Sequence, residues 1–479
     1  MRKWTNYVFI TDFFSFSKLF VFTAVTAFIV VFCIFYFKDR NIETGYAKVV
    51  NFESIDVRTL AESIGAKSSL DKSATEFAAI TKHLTHGVDC LPIKIGKRGP
   101  ADVFYQYCSE AAIVARSKEM SVTSEFSVPA SLARRFNFWR DVYSLWTSEH
   151  YILHPADYPE VALEILDSSP IVYDKGSEKG EILKERTIEK ISHTQKREYK
   201  KLLLALHASR SKPLNSLPPA LRRVANSMRH IKDQRKYFNA AMSLRVQRGQ
   251  KDYIANGIPS ASSYMSHIET EFSDAGLPTE LAYLSFVESS FNLKARSKVG
   301  ASGVFQLMKA TAAQYLKVQA EIDERNDPVK AARAAAKLLR FNYKLTGSWP
   351  LAITAYNHGV GGITKGVELT GSRDVATLIK YYRDKQFGFA SQNFYSSFLA
   401  ILATIKNWNE IFPDIKIYQP IEFQTVRLSC ATTVSKIRKK YLVPRRNLSQ
   451  LNPDLSRSFV YHNGRLPQGY EIKIPLKSK

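Results

Sequence analysis

The chain has 479 residues, 45% hydrophobic and 12% aromatic, which excludes a largely disordered protein and is too long for one ordinary core. About two to four domains are expected. The formal net charge of +24 implies a polyanionic partner, which nucleic acid, an anionic membrane surface or a carboxylate-bearing wall polymer would each satisfy.

Near the start, "LFVFTAVTAFIVVFCIFYF" runs from Leu19 to Phe37 without a charge, enough as a helix to cross a bilayer's hydrocarbon core. It is long for a signal-peptide core, and the following "KDRNIETG" offers no small-x-small cleavage site, so a retained transmembrane signal anchor is expected over residues 1–40. Phe32 stands where an acylation site would need a small residue, so Cys33 reads as a lipid-facing side chain. Basic residues flank both ends of the run, Arg2, Lys3 and Lys18 before it and Lys38 and Arg40 after it, and charge alone leaves the orientation open. The four cysteines are no disulfide scaffold, although Cys90 and Cys108 would be able to pair in an oxidising compartment.

Residues 41 to about 120 mix short apolar runs with turn signals such as "LPIKIGKRGPADV" and specify no particular element. From "SLARRFNFWRDVYSLWTSEHYILH" to "YPEVALEILDSS" the periodicity predicts helix, with Trp139, Val142, Trp146 and Tyr151 as packing anchors. His150 and His154 lie four apart, but no second pair with ligand spacing is near, which favours packing or surface roles over zinc. Residues 178–250 carry 18 Lys+Arg against 6 Asp+Glu on helical patterns. They form either solvated helix faces or a platform for an anionic polymer. The stretch lacks the aromatic interleaving and zinc-finger spacing of nucleic-acid binders, so no nucleic-acid partner is expected. Residues 41–250 are taken together as a mostly helical accessory region.

A second helical block runs from near Ile254 to near Phe412. "LPTEL" sets Pro278 in the first turn of one helix, and "NDPVKAARAAAKLLRFNYKLTG" has Asp327 as N-cap, Pro328 at the first helical position and Gly347 as a stop. "WPLAITAYNHGVGG" begins at another proline and ends on glycines. These helices carry too many apolar positions to be solitary, so a compact all-α domain is expected. Beyond "YQPIEF" the pattern reads strand, helix, helix, turn, strand, a small α+β module at 420–476.

Within "ELAYLSFVESSFN", helical spacing puts Leu281, Leu284 and Glu288 on one face. An inward carboxyl is desolvated and its pKa rises, as a general acid near neutral pH requires. The same residue also reads as a boundary glutamate reaching water or a basic partner. No further carboxylate occurs before Glu321. Most glycosidases use two carboxyls, so an enzyme built around one must let the substrate supply the other group.

"LPTELAYLSFVESSFNLKARSKVGASGVFQLMKATA", with "DERNDPVKAARAAAKLL", "WPLAITAYNHGVGG" and "FGFASQNFYSSFLA", resembles the lytic murein transglycosylases of glycoside hydrolase family 23, including their membrane-bound D-type members. "KIRKKYLVPRRNLSQLNPDL" and "LPQGYEIKIP" are similar to a LysM peptidoglycan-binding repeat, without its usual "GDT". "RRFNFWRDVYS" and "RVQRGQK" resemble stretches of some longer relatives. The resemblance implies a mainly α protein with a lysozyme-like all-α catalytic domain at 251–415. It implies cleavage of the bond between N-acetylmuramic acid and N-acetylglucosamine without addition of water, on peptidoglycan glycan strands, with no cofactor or metal. The envelope follows as location, with the bulk of the chain in the periplasm and residues 19–37 in the inner membrane.

Carried across by motif, Glu288 would be the lone catalytic acid and then base. Ser297 would bond sugar, Gly300 and Gly303 would let backbone approach the glycan, and Gln306 and Met308 would line the cleft. Tyr356 and Asn357 would lie near the acid and the substrate's N-acetyl group, although Asn357 also reads as a helix cap. Relatives carry "E-T-x-x-Y" where this chain has "ASQNFY", so Phe394 takes the tyrosine position and Tyr395, next to it, is the candidate hydroxyl. Val299 replaces a more polar residue of some relatives.

Overall fold

The "ARRFNFWRDVYS" stretch closes into helix α1 (Ala133–Ser144), and Phe136, Trp139, Val142 and Tyr143, three or four apart, are all buried. The structure, a computed structural model, describes residues 125–171 and 177–476, together with an antiparallel pair, β1 (Cys90–Leu91) and β2 (Tyr107–Cys108), whose register sets Cys90 opposite Cys108. The apolar run 19–37 lies outside the described residues, among which no helix is long and apolar enough to cross a membrane.

After α1 the chain becomes extended, which corrects the helical reading of "HYILH" and "EILD". β3 (His150–Pro155) pairs antiparallel with β4 (Glu164–Asp167) and, on its other side, with β5 (Leu244–Arg248). Tyr151 and Ile152 favour a pleated surface, and Pro155 and Pro159 deny the segment a continuous helix. Pairing with β5, far along the chain, decides the outcome. Between β4 and β5 lie α2 (Glu178–Ala208), α3 (Pro219–Ser227) and α4 (Lys236–Met242), which share a separate core of Leu203, Leu206, Val224, Met228 and Ala240.

The main core is helical. α5 (Lys251–Asp274) leads through a 3-10 turn at Thr279–Tyr283 into the short α6 (Leu284–Ser289). Pro278 therefore precedes the Glu288 helix instead of sitting in its first turn. Leu281 N–H donates to the Pro278 carbonyl at 3.2 Å, a spacing of three that tightens this turn. α7 (Lys309–Ala312), α8 (Pro328–Thr346), α9 (Trp349–His358), α10 (Val360–Thr370), α11 (Val375–Tyr381), α12 (Phe389–Lys406) and α13 (Trp408–Ile411) complete the body. α8 follows its punctuation: the Asp327 carboxylate accepts from Val329 and Lys330 N–H, Pro328 opens the helix and Gly347 ends it. α12 is buried along most of its length.

The core that holds these helices also takes in Phe126, Phe136, Trp139, Val142 and Trp146, so it does not end at the expected boundary near 250. Arg135 Nη1 and Trp139 Nε1, both from α1, donate to Asn393 Oδ1 on α12 at 3.0 and 3.1 Å.

In the C-terminal module β6 (Gln424–Arg427) pairs antiparallel with β9 (Glu471–Ile474). Between them run β7 (Thr432–Thr433), α14 (Val434–Tyr441), α15 (Arg445–Leu451), α16 (Arg457–Tyr461) and β8 (Arg465–Leu466). The third helix and the β7–β8 pair add to the expected strand–helix–helix–strand order. The module is docked, because Ile322 of the helical body joins its apolar core and Asp323 N–H donates to the Asp454 carbonyl at 2.8 Å. Buried ion pairs cross the junction, Lys330 Nζ to Asp454 at 2.8 Å and Lys473 Nζ to Asp327 at 2.5 Å. Arg333, partly exposed, bridges Glu271 at 2.7 Å and Glu471 at 2.8 Å.

Candidate active site

Glu288 stands one residue before the end of α6, where Ser290 (φ 50°) and Phe291 (φ 56°) adopt left-handed backbone and turn the chain sharply. That turn packs against α5 at Gly257, where an added Cβ would lie 1.9 Å from the Ser290 carbonyl oxygen. Only glycine fits there. Ser289 Oγ donates to the Ser285 and Val304 carbonyls, both at 2.9 Å, tying the end of the helix to the following loop.

The Glu288 side chain keeps a partial opening to solvent, yet the surrounding protein strips enough water from it to push its carboxyl from an ordinary 4.5 up to about 8. Burial causes that rise, and among the described residues no cation or second carboxylate contributes to it. Two phenols sense its charge. Tyr356 on α9 is raised well above the usual range, first by burial and then by Glu288, and its hydroxyl donates to the Phe305 carbonyl at 2.9 Å. Tyr143 on α1 is raised by burial, opposed by a hydrogen bond with Ser397, and raised further by Glu288. Sequence reasoning missed Tyr143, and the one signal that would have found it was the likeness of "RRFNFWRDVYS" to longer relatives.

The remaining predicted residues divide between bracing and lining. Ser297 Oγ accepts from Ala301 N–H at 2.9 Å and closes a tight turn. Gln306, at φ 44°, donates from Nε2 to the Gly303 carbonyl at 2.8 Å and the Ala295 carbonyl at 3.2 Å. Gly303, at φ +76°, has no room for a side chain because the Arg325 carbonyl oxygen would sit 1.8 Å from its Cβ. Arg325, which sequence reasoning did not single out, anchors this loop from beneath by donating to the Gly300 and Leu307 carbonyls and pairing with Asp323 at 2.8 Å. Met308 and Val299 are exposed. Asn357 is exposed and accepts at Oδ1 from Ser391 Oγ on α12 at 2.8 Å, which ties two helices together and leaves the end of α9 uncapped by its side chain.

Phe394 stacks on Tyr356, ring centroids 6.4 Å apart and nearly parallel, whereas Tyr395 is buried beside Phe398. Burial alone raises the Tyr395 phenol, with no contribution from Glu288. His154 is fully buried, its ring packed against Phe138 and Phe389, and burial lowers its pKa to about 4. Among the described residues no group of three or more His, Cys, Asp or Glu is placed to hold a metal ion.

Residues 266–379, the segment from mid-α5 to α11 that carries Glu288, match the family model of the Transglycosylase SLT domain. The membrane-bound lytic murein transglycosylase D of Escherichia coli (strain K12) is 27% identical over 129 residues, 26% of this chain and 28% of that protein. A protein of Alteromonas sp. (strain M-1) named for tributyltin chloride resistance is 38% identical over 110 residues, 22% of this chain and 53% of that one. The chain thus spans under a third of the E. coli relative and about half of the Alteromonas one. Among solved structures, the 70 kDa soluble lytic transglycosylase of E. coli aligns with a TM-score of 0.27 and 19% identity, covering 45% of this chain and 35% of that one.

Proposed function

We propose that this protein is a peptidoglycan lytic transglycosylase, with Glu288 as its single catalytic acid and base. The observation that carries the reading is a carboxyl with a pKa near 8, raised by burial, inside the segment that matches the SLT domain. Near neutral pH Glu288 is protonated and donates its proton to the glycosidic oxygen leaving N-acetylmuramic acid. The carboxylate so formed then takes the proton of the muramoyl C6 hydroxyl as that oxygen attacks C1. The C1–O bond to the leaving sugar breaks, the C1–O6 bond forms, and a 1,6-anhydro end is left with no water consumed. No second carboxylate is needed, because the substrate's own hydroxyl replaces the nucleophile of an ordinary glycosidase.

Substrate binding falls to Ser297, Gln306 and Met308, on the loop braced by Arg325, and to Tyr356 and Asn357 of α9. The backbone at Gly300 and Gly303 allows close approach of the glycan. The catalytic body is lysozyme-like, and the module at 420–476 is a LysM-like wall-binding unit. Residues 19–37 anchor the chain in the inner membrane, with the bulk of it in the periplasm where wall remodelling takes place.

A second reading, a wall-binding scaffold without catalysis, rests on the docked C-terminal module. Incubation with insoluble peptidoglycan separates the two. The enzyme releases soluble fragments, whereas a scaffold sediments with the wall and releases none.

A further inference from the structure

A groove of about 760 Å³ lies between the helical body and the C-terminal module. Tyr264, Leu293, Lys294 and Arg296 of the helical body and Asn447 and Gln450 of α15 line it. We propose that this groove is a second binding site, which takes the short acidic peptide carried by the wall glycan while Glu288 acts on the sugar chain. The assignment rests on the wall-polymer reading of the Glu288 site.

Its size falls in the range of ligand sites, and such sites gather at junctions between domains. The two walls are held in register by the buried Lys330–Asp454 and Lys473–Asp327 pairs and by the Asp323–Asp454 backbone bond, so the groove is a fixed shape. Its charge and polarity select the ligand. The side chains of Lys294 and Arg296 have no ion-pair partner among the described residues, against one lining carboxylate, Glu422. The side-chain amides of Asn447 and Gln450 likewise have no hydrogen-bond partner among the described residues, and both residues are exposed. Free cations beside free amides, with Tyr264 and Leu293 in the same lining, match a chain of amides bearing carboxylates. A strand stripped of peptide offers the cations only its lactyl carboxylates, with no run of peptide amides for Asn447 and Gln450. Position links the two sites, since Leu293, Lys294 and Arg296 belong to the loop that leaves Glu288 and carries Ser297.

The test uses the full-length protein and the free acidic tetrapeptide released from wall by an amidase, with binding measured by calorimetry. The wild type binds it, and Asn447→Glu/Gln450→Glu, which places two carboxylates on an exposed helix face, weakens binding about tenfold. Lys294→Glu, on the helical body, does the same, so a defect peculiar to one variant's folding does not decide the outcome. On peptide-bearing glycan both variants lose about tenfold in kcat/KM, while on glycan stripped of peptide they match the wild type. Unchanged tetrapeptide binding in both variants, or an equal loss on both glycans, overturns the proposal. The two readings fail separately. A protein that binds tetrapeptide but cleaves neither glycan refutes the transglycosylase, and one that cleaves glycan without binding tetrapeptide refutes the groove.

Discussion

Glu288→Gln should make the protein more stable above about pH 4.5, and most of all in base. The folded carboxyl titrates near 8 against an ordinary 4.5, so between those values the native chain holds a proton that the unfolded chain has lost. Native binding of more protons means that stability falls as pH rises through that window, with no cost below it and the full cost above it. At 1.36 kcal/mol for each tenfold change in proton affinity, the gap from 4.5 to about 8 corresponds to a ceiling of roughly 4–5 kcal/mol. The side chain is only partly shielded, and halving the ceiling for solvent screening leaves about 2 kcal/mol. A neutral glutamine of similar shape removes that cost. Thermal melts followed by circular dichroism at pH 4 and pH 8.5 should show wild type and Glu288→Gln melting together in acid. They should separate by roughly 4–8 °C in base, at about 2–4 °C per kcal/mol for a domain of this size. Equal melting temperatures at pH 8.5 would show that the carboxyl is not desolvated and would remove the physical basis for its role as an acid.

Lys473→Met leaves the fully buried Asp327 carboxylate without its closest cation and should cost about 3–5 kcal/mol in chemical denaturation, with Asp327→Asn/Lys473→Met recovering part of the loss. Gly303→Ala drives a methyl group into the Arg325 carbonyl and should abolish wall cleavage through collapse of the loop, visible as rapid proteolysis between 295 and 308. Tyr143→Phe should lower turnover about tenfold while leaving the alkaline limb of its pH profile in place, because the raised phenol stays neutral beside Glu288 and burial sets the titration of that carboxyl.

Local signals located the parts of the fold that local chemistry controls. Asp327, Pro328 and Gly347 bound α8 because a cap, a fixed φ and a left-handed stop act within one turn. Glu288 was legible as a carboxyl in an apolar stripe, since helical spacing alone carries that information. What the sequence pattern hid was set by partners far along the chain. "HYILH" has apolar residues compatible with either period, and its pairing with β5 across α2–α4 decided for strand. Tyr143 comes near Glu288 only because α1 packs on α12, a contact no spacing within "RRFNFWRDVYS" encodes. The same holds for Lys473 and Asp327, whose pairing docks the C-terminal module on the helical body.

The account stands or falls on the product released from purified peptidoglycan, read by mass spectrometry for wild type beside Glu288→Gln. It predicts muropeptides ending in 1,6-anhydro-N-acetylmuramic acid, one water lighter than hydrolysed fragments, from the wild type and none from the variant. Reducing muramoyl ends from the wild type, or undiminished release by Glu288→Gln, would contradict it.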